Sequence, residues 1–80
     1  MKIAWAARAS REISALDREV ARRIVTGVER FAETEHGDTK RLQGAGGIAR
    51  LRVGDWRILF ENSPGGIRIL RVLHRSEAYR

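Results

Sequence analysis

Three side chains that can act on a phosphodiester lie close together near the end of the chain: His74, Arg75 and Tyr79. Histidine titrates near neutral pH, tyrosine can donate a proton from its hydroxyl, and arginine can neutralise charge on a pentacoordinate phosphorus. Together they could support in-line cleavage of RNA, in which the ribose 2′-hydroxyl attacks the neighbouring phosphorus. The spacing alone is a weak signal, because a single His or Tyr is more often a surface or packing residue.

A second group of basic residues lies in the middle of the chain. Strand alternation places Arg50 and Arg52 on one face, and a hairpin can bring Arg57 opposite them. Three like charges repel each other unless an anion lies between them. The pattern therefore favours a phosphate-binding face over a merely solvated sheet surface.

The charge of the chain is unevenly distributed. The formal net charge is +6, and residues 37–80 carry nine Lys/Arg against four Asp/Glu, whereas residues 1–36 carry seven against six. Most of the basic residues are arginines, whose planar guanidinium matches phosphate oxygens. We therefore expect an anionic partner, with nucleic acid first, although a solvated arginine-rich surface would give the same composition.

Several kinds of site lack their residues. The chain contains no cysteine, and His36 has no second histidine at ligand spacing, so we expect no metal and no cofactor. No apolar run approaches the ~20 residues of a membrane span, and no signal-peptide pattern precedes the first strand. These observations predict a soluble, cytoplasmic protein. The acidic residues of the second half are scattered, which argues against a two-metal nuclease: Asp38, Asp55, Glu61 and Glu77.

The elements that must position these residues form one predicted domain, residues 1–80. A short strand at residues 2–5 precedes two helices, residues 8–16 and 18–35, with Asp17 as the N-cap between them. A glycine-rich loop is predicted over residues 37–47. Three strands follow, at residues 48–53, from Trp56 to a turn at 62–66, and at 67–73. The pattern predicts an α+β fold: an N-terminal strand, an α-helical hairpin and an antiparallel three-stranded meander, with the helices packed on one face of the sheet.

Three blocks of this sequence resemble the signature blocks of the RelE family, within the RelE/ParE superfamily of toxins. They are residues 40–44 (KRLQG), 49–60 (ARLRVGDWRILF) and 72–80 (VLHRSEAYR). The resemblance implies a RelE-like fold and the toxin of a type II toxin-antitoxin pair. It also implies a metal-independent endoribonuclease that enters the ribosomal A site and cuts translated mRNA.

The resemblance assigns roles by position. Arg57 and Tyr79 match catalytic residues of the family, and either His74 or Arg75 matches its basic residue after the last strand. The best-studied pattern of the family has lysines where Arg50 and Arg52 stand. Because arginine is a poor acid or base, proton transfer is expected to shift to His74 or Tyr79. The RNA-binding residues implied by the resemblance are Lys40, Arg41, Arg50 and Arg52.

The resemblance also implies partners and leaves two alternatives. The partners are the ribosome with its mRNA and a cognate antitoxin, acidic and partly disordered when free; no membrane is involved. The ParE branch shares the fold and a stretch similar to residues 71–74, but it targets DNA gyrase and is not a nuclease. An inactive relative that only binds antitoxin or RNA is the other alternative.

Overall fold

Five strands and three helices make up the computed structural model, which describes residues 1–42, 44 and 46–78. No helix in these ranges is long and apolar enough to cross a membrane. The elements, in chain order, are β1 (Lys2–Trp5), α1 (Ala7–Ser14), α2 (Arg18–Thr34), β2 (Asp38–Arg41), β3 (Ile48–Val53), β4 (Trp56–Ser63), β5 (Gly66–His74) and α3 (Arg75–Ala78).

The strands form one sheet in the order β1-β5-β4-β3-β2. β1 pairs with β5 in parallel, and the other neighbours are antiparallel. The parallel pairing places β5 in the interior of the sheet, which agrees with the apolar residues at five of the seven positions from 67 to 73. The predicted α+β fold with a helical hairpin is confirmed, but the meander has four strands instead of three.

The extra strand is β2, which lies inside the segment predicted to be a loop. All four of its residues, Asp38–Arg41, are exposed and polar. The strand forms because its backbone pairs with β3, with Asp38 opposite Arg52 and Arg41 opposite Ala49. Such an edge strand buries no side chain, so it leaves no apolar alternation in the sequence, and the loop prediction is wrong over these residues.

Helix α2 follows the predicted pattern closely. The Asp17 carboxylate accepts a hydrogen bond from the Glu19 backbone N–H at 3.2 Å, as expected of an N-cap. The helix ends where Glu35 adopts a left-handed conformation with φ 59°. Its apolar stripe, Ile24, Val28 and Phe31, packs against the sheet. α2 therefore covers one face of the sheet and does not cover the opposite face.

The core lies between the helices and that covered face. Its largest fully buried side chains are four isoleucines and one valine, each of which contributes about 1.5–3 kcal/mol of transfer free energy. Gly54 has φ 58° in the two-residue turn between β3 and β4, as a tight hairpin requires. The second turn contains fewer residues than the predicted 62–66, since β4 extends to Ser63 and β5 starts at Gly66.

Candidate functional site

Three arginines meet on the sheet face that the helices leave uncovered. Arg52 and Arg57 are direct cross-strand partners. Arg50 lies two residues before Arg52 on β3, on the same face, and its cross-strand partner is Leu59. Because Leu51 and Ile58 point into the core, their neighbours in sequence point to the other face. The sequence-predicted grouping of the three arginines is therefore present in the structure. We call this surface the open face, and its charged residues on β2, β3 and β4 are Asp38, Lys40, Arg50, Arg52, Arg57 and Glu61.

The three arginines differ widely in exposure. The Arg52 side chain is 53% exposed and that of Arg50 is 18% exposed, whereas Arg57 is only 5% exposed. The Nε of Arg50 is buried and has no hydrogen-bond partner among the described residues. An anion that approached from solvent would therefore contact Arg52 and the exposed end of Arg50. The buried charge of Arg57 would lie deeper in the protein than these two guanidinium groups.

Asp38 of β2 is the countercharge on the open face. Its Oδ1 lies 3.7 Å from Nη2 of Arg50, and its Oδ2 lies 3.8 Å from Nε of Arg52. The carboxylate thus bridges the two arginines, at distances longer than a hydrogen bond. Sequence reasoning missed Asp38, because the residue is placed beside the arginines only by the β2–β3 pairing. That pairing also puts Lys40 opposite Arg50 on the open face, whereas Arg41 pairs with Ala49 on the other face.

His74 lies on the helix-side face. It is the cross-strand partner of Trp56, and the two rings meet edge to face with centroids 5.2 Å apart. Trp56 packs against the core, so His74 and Arg57 project from opposite sides of the sheet. The structure therefore does not bring His74 together with the arginines of the open face.

The Nδ1 of His74 is held by the first turn of α3. It lies 3.0 Å from Oγ of Ser76 and accepts a hydrogen bond from the Ser76 backbone N–H at 3.3 Å. An amide that donates to Nδ1 leaves the proton of the neutral ring on Nε2. The contacts to Ser76 therefore hold the ring through Nδ1 and leave Nε2 as the ring nitrogen for proton transfer with a substrate.

The start of α3 is attached to the β3–β4 turn through Arg75 and Asp55. The Arg75 backbone N–H donates to the Asp55 carbonyl at 2.7 Å, and Nη1 of Arg75 lies 3.5 Å from Oδ1 of Asp55. Both side chains are exposed, so this ion pair is weak. Arg75 therefore helps to dock α3 on the turn. Tyr79, the remaining candidate catalytic residue, lies outside the described residues.

Arg71, in the stretch shared with the ParE branch, pairs with Glu12 of α1 at 2.8 Å. Burial raises the pKa of Glu12, but the hydrogen bonds from Arg71 and from the Val72 backbone N–H outweigh it, so the pKa is lowered from its ordinary value. The same hydrogen bond raises the pKa of Arg71. Arg71 is therefore a structural residue that joins α1 to β5.

A second basic surface lies along α2, where the helix packs beside Val53 of β3. Arg22, Arg23 and Arg30 form no ion pair with any of the described residues. The groove beside them measures about 550 Å³ and is lined by Glu19, Arg22, Arg23, Thr26, Gly27, Arg30 and Val53. Within residues 1–42, 44 and 46–78, no three His, Asp or Glu side chains lie close enough to hold a metal ion.

The sequence matches the family model described as the ParE toxin of the type II toxin-antitoxin system parDE, over residues 3–79. The match covers nearly the whole chain. This chain belongs to the ParE toxin family. The membership places it in the RelE/ParE superfamily and makes it a toxin of a type II toxin-antitoxin system.

Solved structures similar to this ParE-family chain come from RelE complexes. The crystal structure of the RelB-RelE antitoxin-toxin complex from Methanococcus jannaschii matches with a TM-score of 0.76 and 25% identity, over 95% of this chain and 94% of that one. The archaeal RelE-RelB complex from Pyrococcus horikoshii OT3 matches with a TM-score of 0.66 and 20% identity, over 92% and 93%. No curated protein sequence matches this ParE-family chain significantly. Family model and structural similarity thus point to two branches of the same superfamily.

Proposed function

We propose that this toxin is a ribosome-dependent endoribonuclease that cuts translated mRNA in the cytoplasm without a metal. The ribose 2′-hydroxyl attacks the adjacent phosphorus, and the bond from phosphorus to the 5′-oxygen of the next nucleotide breaks. The observation that carries the proposal is the convergence of Arg50, Arg52 and Arg57 from two neighbouring strands on the open face. A cluster of this kind fits a chain of phosphates.

The graded exposure of these arginines suggests different roles. Arg52 and Arg50, which reach the surface, hold the phosphates of the message, and Lys40 lies beside them. Arg57 is buried, so water screens its charge poorly. It stabilises the negative charge that builds on the phosphorus during attack. Arg41 belongs to the other face of β2, where it would contact RNA only along the edge of the sheet.

Proton transfer requires other residues, because arginine stays protonated. In its imidazolium form, His74 can protonate the leaving 5′-oxygen from Nε2, and Tyr79 is the second candidate donor, while the attacking 2′-hydroxyl gives its proton to water. Since His74 projects from the face opposite Arg57, the message must pass around the end of the sheet near α3 to contact both. The need for such a path supports ribosome dependence, because the ribosome would hold the message in the geometry for in-line attack.

The partner proposed for control of this toxin is an acidic antitoxin, partly disordered when free. The matched complexes contain RelB bound to RelE. In this chain, the three arginines beside the α2 groove and those of the open face offer two basic surfaces to an acidic segment. Binding to either would neutralise charge that is otherwise exposed.

The family match supports a second candidate, a toxin that binds DNA gyrase and cuts no RNA. It rests on the agreement of residues 3–79 with the ParE family model. In this case the basic surfaces bind a protein, and His74 and Arg57 have no catalytic role.

One experiment separates these candidates. The purified toxin is added to a translation mixture, and the message is mapped by primer extension, with naked RNA of the same sequence as the control. The proposal predicts new 5′ ends only when ribosomes translate. Intact message, together with inhibition of gyrase supercoiling by the same preparation, would establish the second candidate. Cutting of naked and translated RNA at equal rates would contradict ribosome dependence.

A further inference from the structure

The feature that the proposed function leaves unexplained is the carboxylate of Asp38. It lies between the two arginines that reach the surface of the open face, with one oxygen directed at each. A residue that only supported the sheet would not need this position, because β2 pairs with β3 through its backbone. A phosphate oxygen could bind the same two guanidinium groups, since carboxylate and phosphate oxygens match them in the same way.

The distances indicate that this carboxylate can be displaced. Oδ1 and Oδ2 lie 3.7 Å and 3.8 Å from the arginine nitrogens, beyond the 2.7–2.9 Å of a charge-assisted hydrogen bond. The Asp38 side chain is 57% exposed, so the pair is screened by water and salt. A phosphodiester that approached from solvent could form shorter bonds to the same guanidinium groups.

The arginines themselves require some anion. Arg50 and Arg52 project from the same face of β3 two residues apart, and neighbouring like charges repel each other. The Arg50 Nε is buried without a hydrogen bond to the described residues, so this side chain is incompletely satisfied when only Asp38 is present. Asp38 reduces the repulsion between the arginines, but an anion that forms shorter bonds to them can replace its carboxylate.

We infer that Asp38 is an internal competitor for the phosphate site of the open face, occupying the Arg50–Arg52 pair until a nucleic-acid phosphate displaces it. This inference rests on the proposed function for the identity of the phosphate, which belongs to RNA. Asp38 thereby makes binding depend on the number of linked phosphates. An isolated phosphate competes poorly with the carboxylate, whereas a chain of phosphates that also contacts Lys40 displaces it.

The test compares Asp38→Asn with Glu29→Gln. Both remove one negative charge, but Glu29 lies exposed on α2 and belongs to none of the ion pairs among the described residues. The probe is a short 2′-O-methylated oligoribonucleotide, which cannot be cut by 2′-hydroxyl attack. Its dissociation constant is measured by fluorescence anisotropy at a series of salt concentrations, without ribosomes.

Asp38→Asn should bind the probe roughly two- to fivefold more tightly than Glu29→Gln at low salt, the scale of one exposed ion pair. Its plot of log affinity against log salt should also be steeper, because both arginines are then fully available to neutralise phosphates and release their counterions. Equal affinity and equal slope for the two variants, or weaker binding by Asp38→Asn, would overturn the inference.

A measurement on the wild-type toxin guards against a misfolded variant. In an NMR titration with the same probe, the side-chain Nε–H resonances of Arg50 and Arg52 should shift together with the carboxyl carbon of Asp38. A probe that binds without moving the Asp38 resonance would also overturn the inference.

The failure of this inference and the failure of the proposed function are distinguishable. If the wild-type toxin cuts no message but the binding and NMR results hold, the proposed nuclease fails and the displaced carboxylate stands. If translated message is cut but Asp38→Asn and Glu29→Gln bind the probe equally, the nuclease stands and the role of Asp38 fails.

Discussion

Glu12 and Arg71 join α1 to the part of β5 that extends beyond its pairing with β1. The Glu12 carboxylate accepts hydrogen bonds from Nη2 and Nε of Arg71 at 2.8 Å and 3.1 Å, and from the Val72 backbone N–H at 2.8 Å. β1 pairs with β5 only as far as Ile69, so beyond that residue α1 takes the place of a neighbouring strand. A single side chain thus satisfies an amide that would otherwise lie at an open edge.

The first prediction concerns the stability of this junction. Glu12→Gln removes the charge but keeps the shape, and we expect it to lower the free energy of unfolding by about 1–3 kcal/mol, because it weakens hydrogen bonds to a charged partner and leaves Arg71 without its carboxylate. Urea unfolding followed by circular dichroism measures the change. The matched control Glu29→Gln should stay within about 0.5 kcal/mol of wild type. A loss of the same small size in both variants would show that the junction contributes little.

The second prediction is the pH dependence of the same contribution. The pKa of Glu12 is lowered in the folded state from its ordinary value of 4.5, so folding favours the ionised carboxylate. Its stabilisation is therefore complete above the unfolded-state value and is lost as the pH falls through the lower, folded-state value. The difference in unfolding free energy between wild type and Glu12→Gln should shrink over that acidic range. A difference that grows on acidification would contradict the direction of the shift.

The third prediction separates chemistry from binding on the open face. Under the proposed function, Arg57→Ala should slow single-turnover cleavage on programmed ribosomes by roughly 100-fold, the effect of removing one preorganised charge. Arg52→Ala should instead weaken association and reduce its salt dependence. Because Arg57 is buried, Arg57→Lys tests whether charge alone restores part of the rate in a folded protein. An Arg57→Ala variant that folds and cuts normally would remove Arg57 from the mechanism.

The fourth prediction assigns the proton transfers. His74→Gln and Tyr79→Phe should each lower the single-turnover rate without changing affinity, since each deletes a proton donor and retains most of the side chain's size. Ser76→Ala loses the hydroxyl 3.0 Å from Nδ1 of His74 and should lower the single-turnover rate while the affinity for the message stays unchanged. Survival of normal cleavage in both His74→Gln and Tyr79→Phe would make this end of the chain a docking element.

Elements defined by local patterns were predictable from the sequence. The helix α2, its Asp17 cap and the Gly54 turn each depend on residues within a few positions of one another, where periodicity and backbone preference act directly. The same is true of the alternation that places Arg50 and Arg52 on one face. The three blocks that resemble the RelE family could also be recognised from the sequence, because each is a continuous stretch of residues.

Relationships between distant segments were decided only by the tertiary structure. Asp38 lies beside Arg50 and Arg52 because β2 pairs with β3. The sequence does not predict β2, since a fully exposed edge strand has no apolar alternation. Glu12 and Arg71 are separated by most of the chain, and the packing of α1 on β5 brings them together. His74 belongs to the same basic-rich half of the sequence as Arg57, yet strand register sends the two side chains to opposite faces. The sequence by itself determined which residues carry charge, while long-range pairing determined which of those charges share a surface.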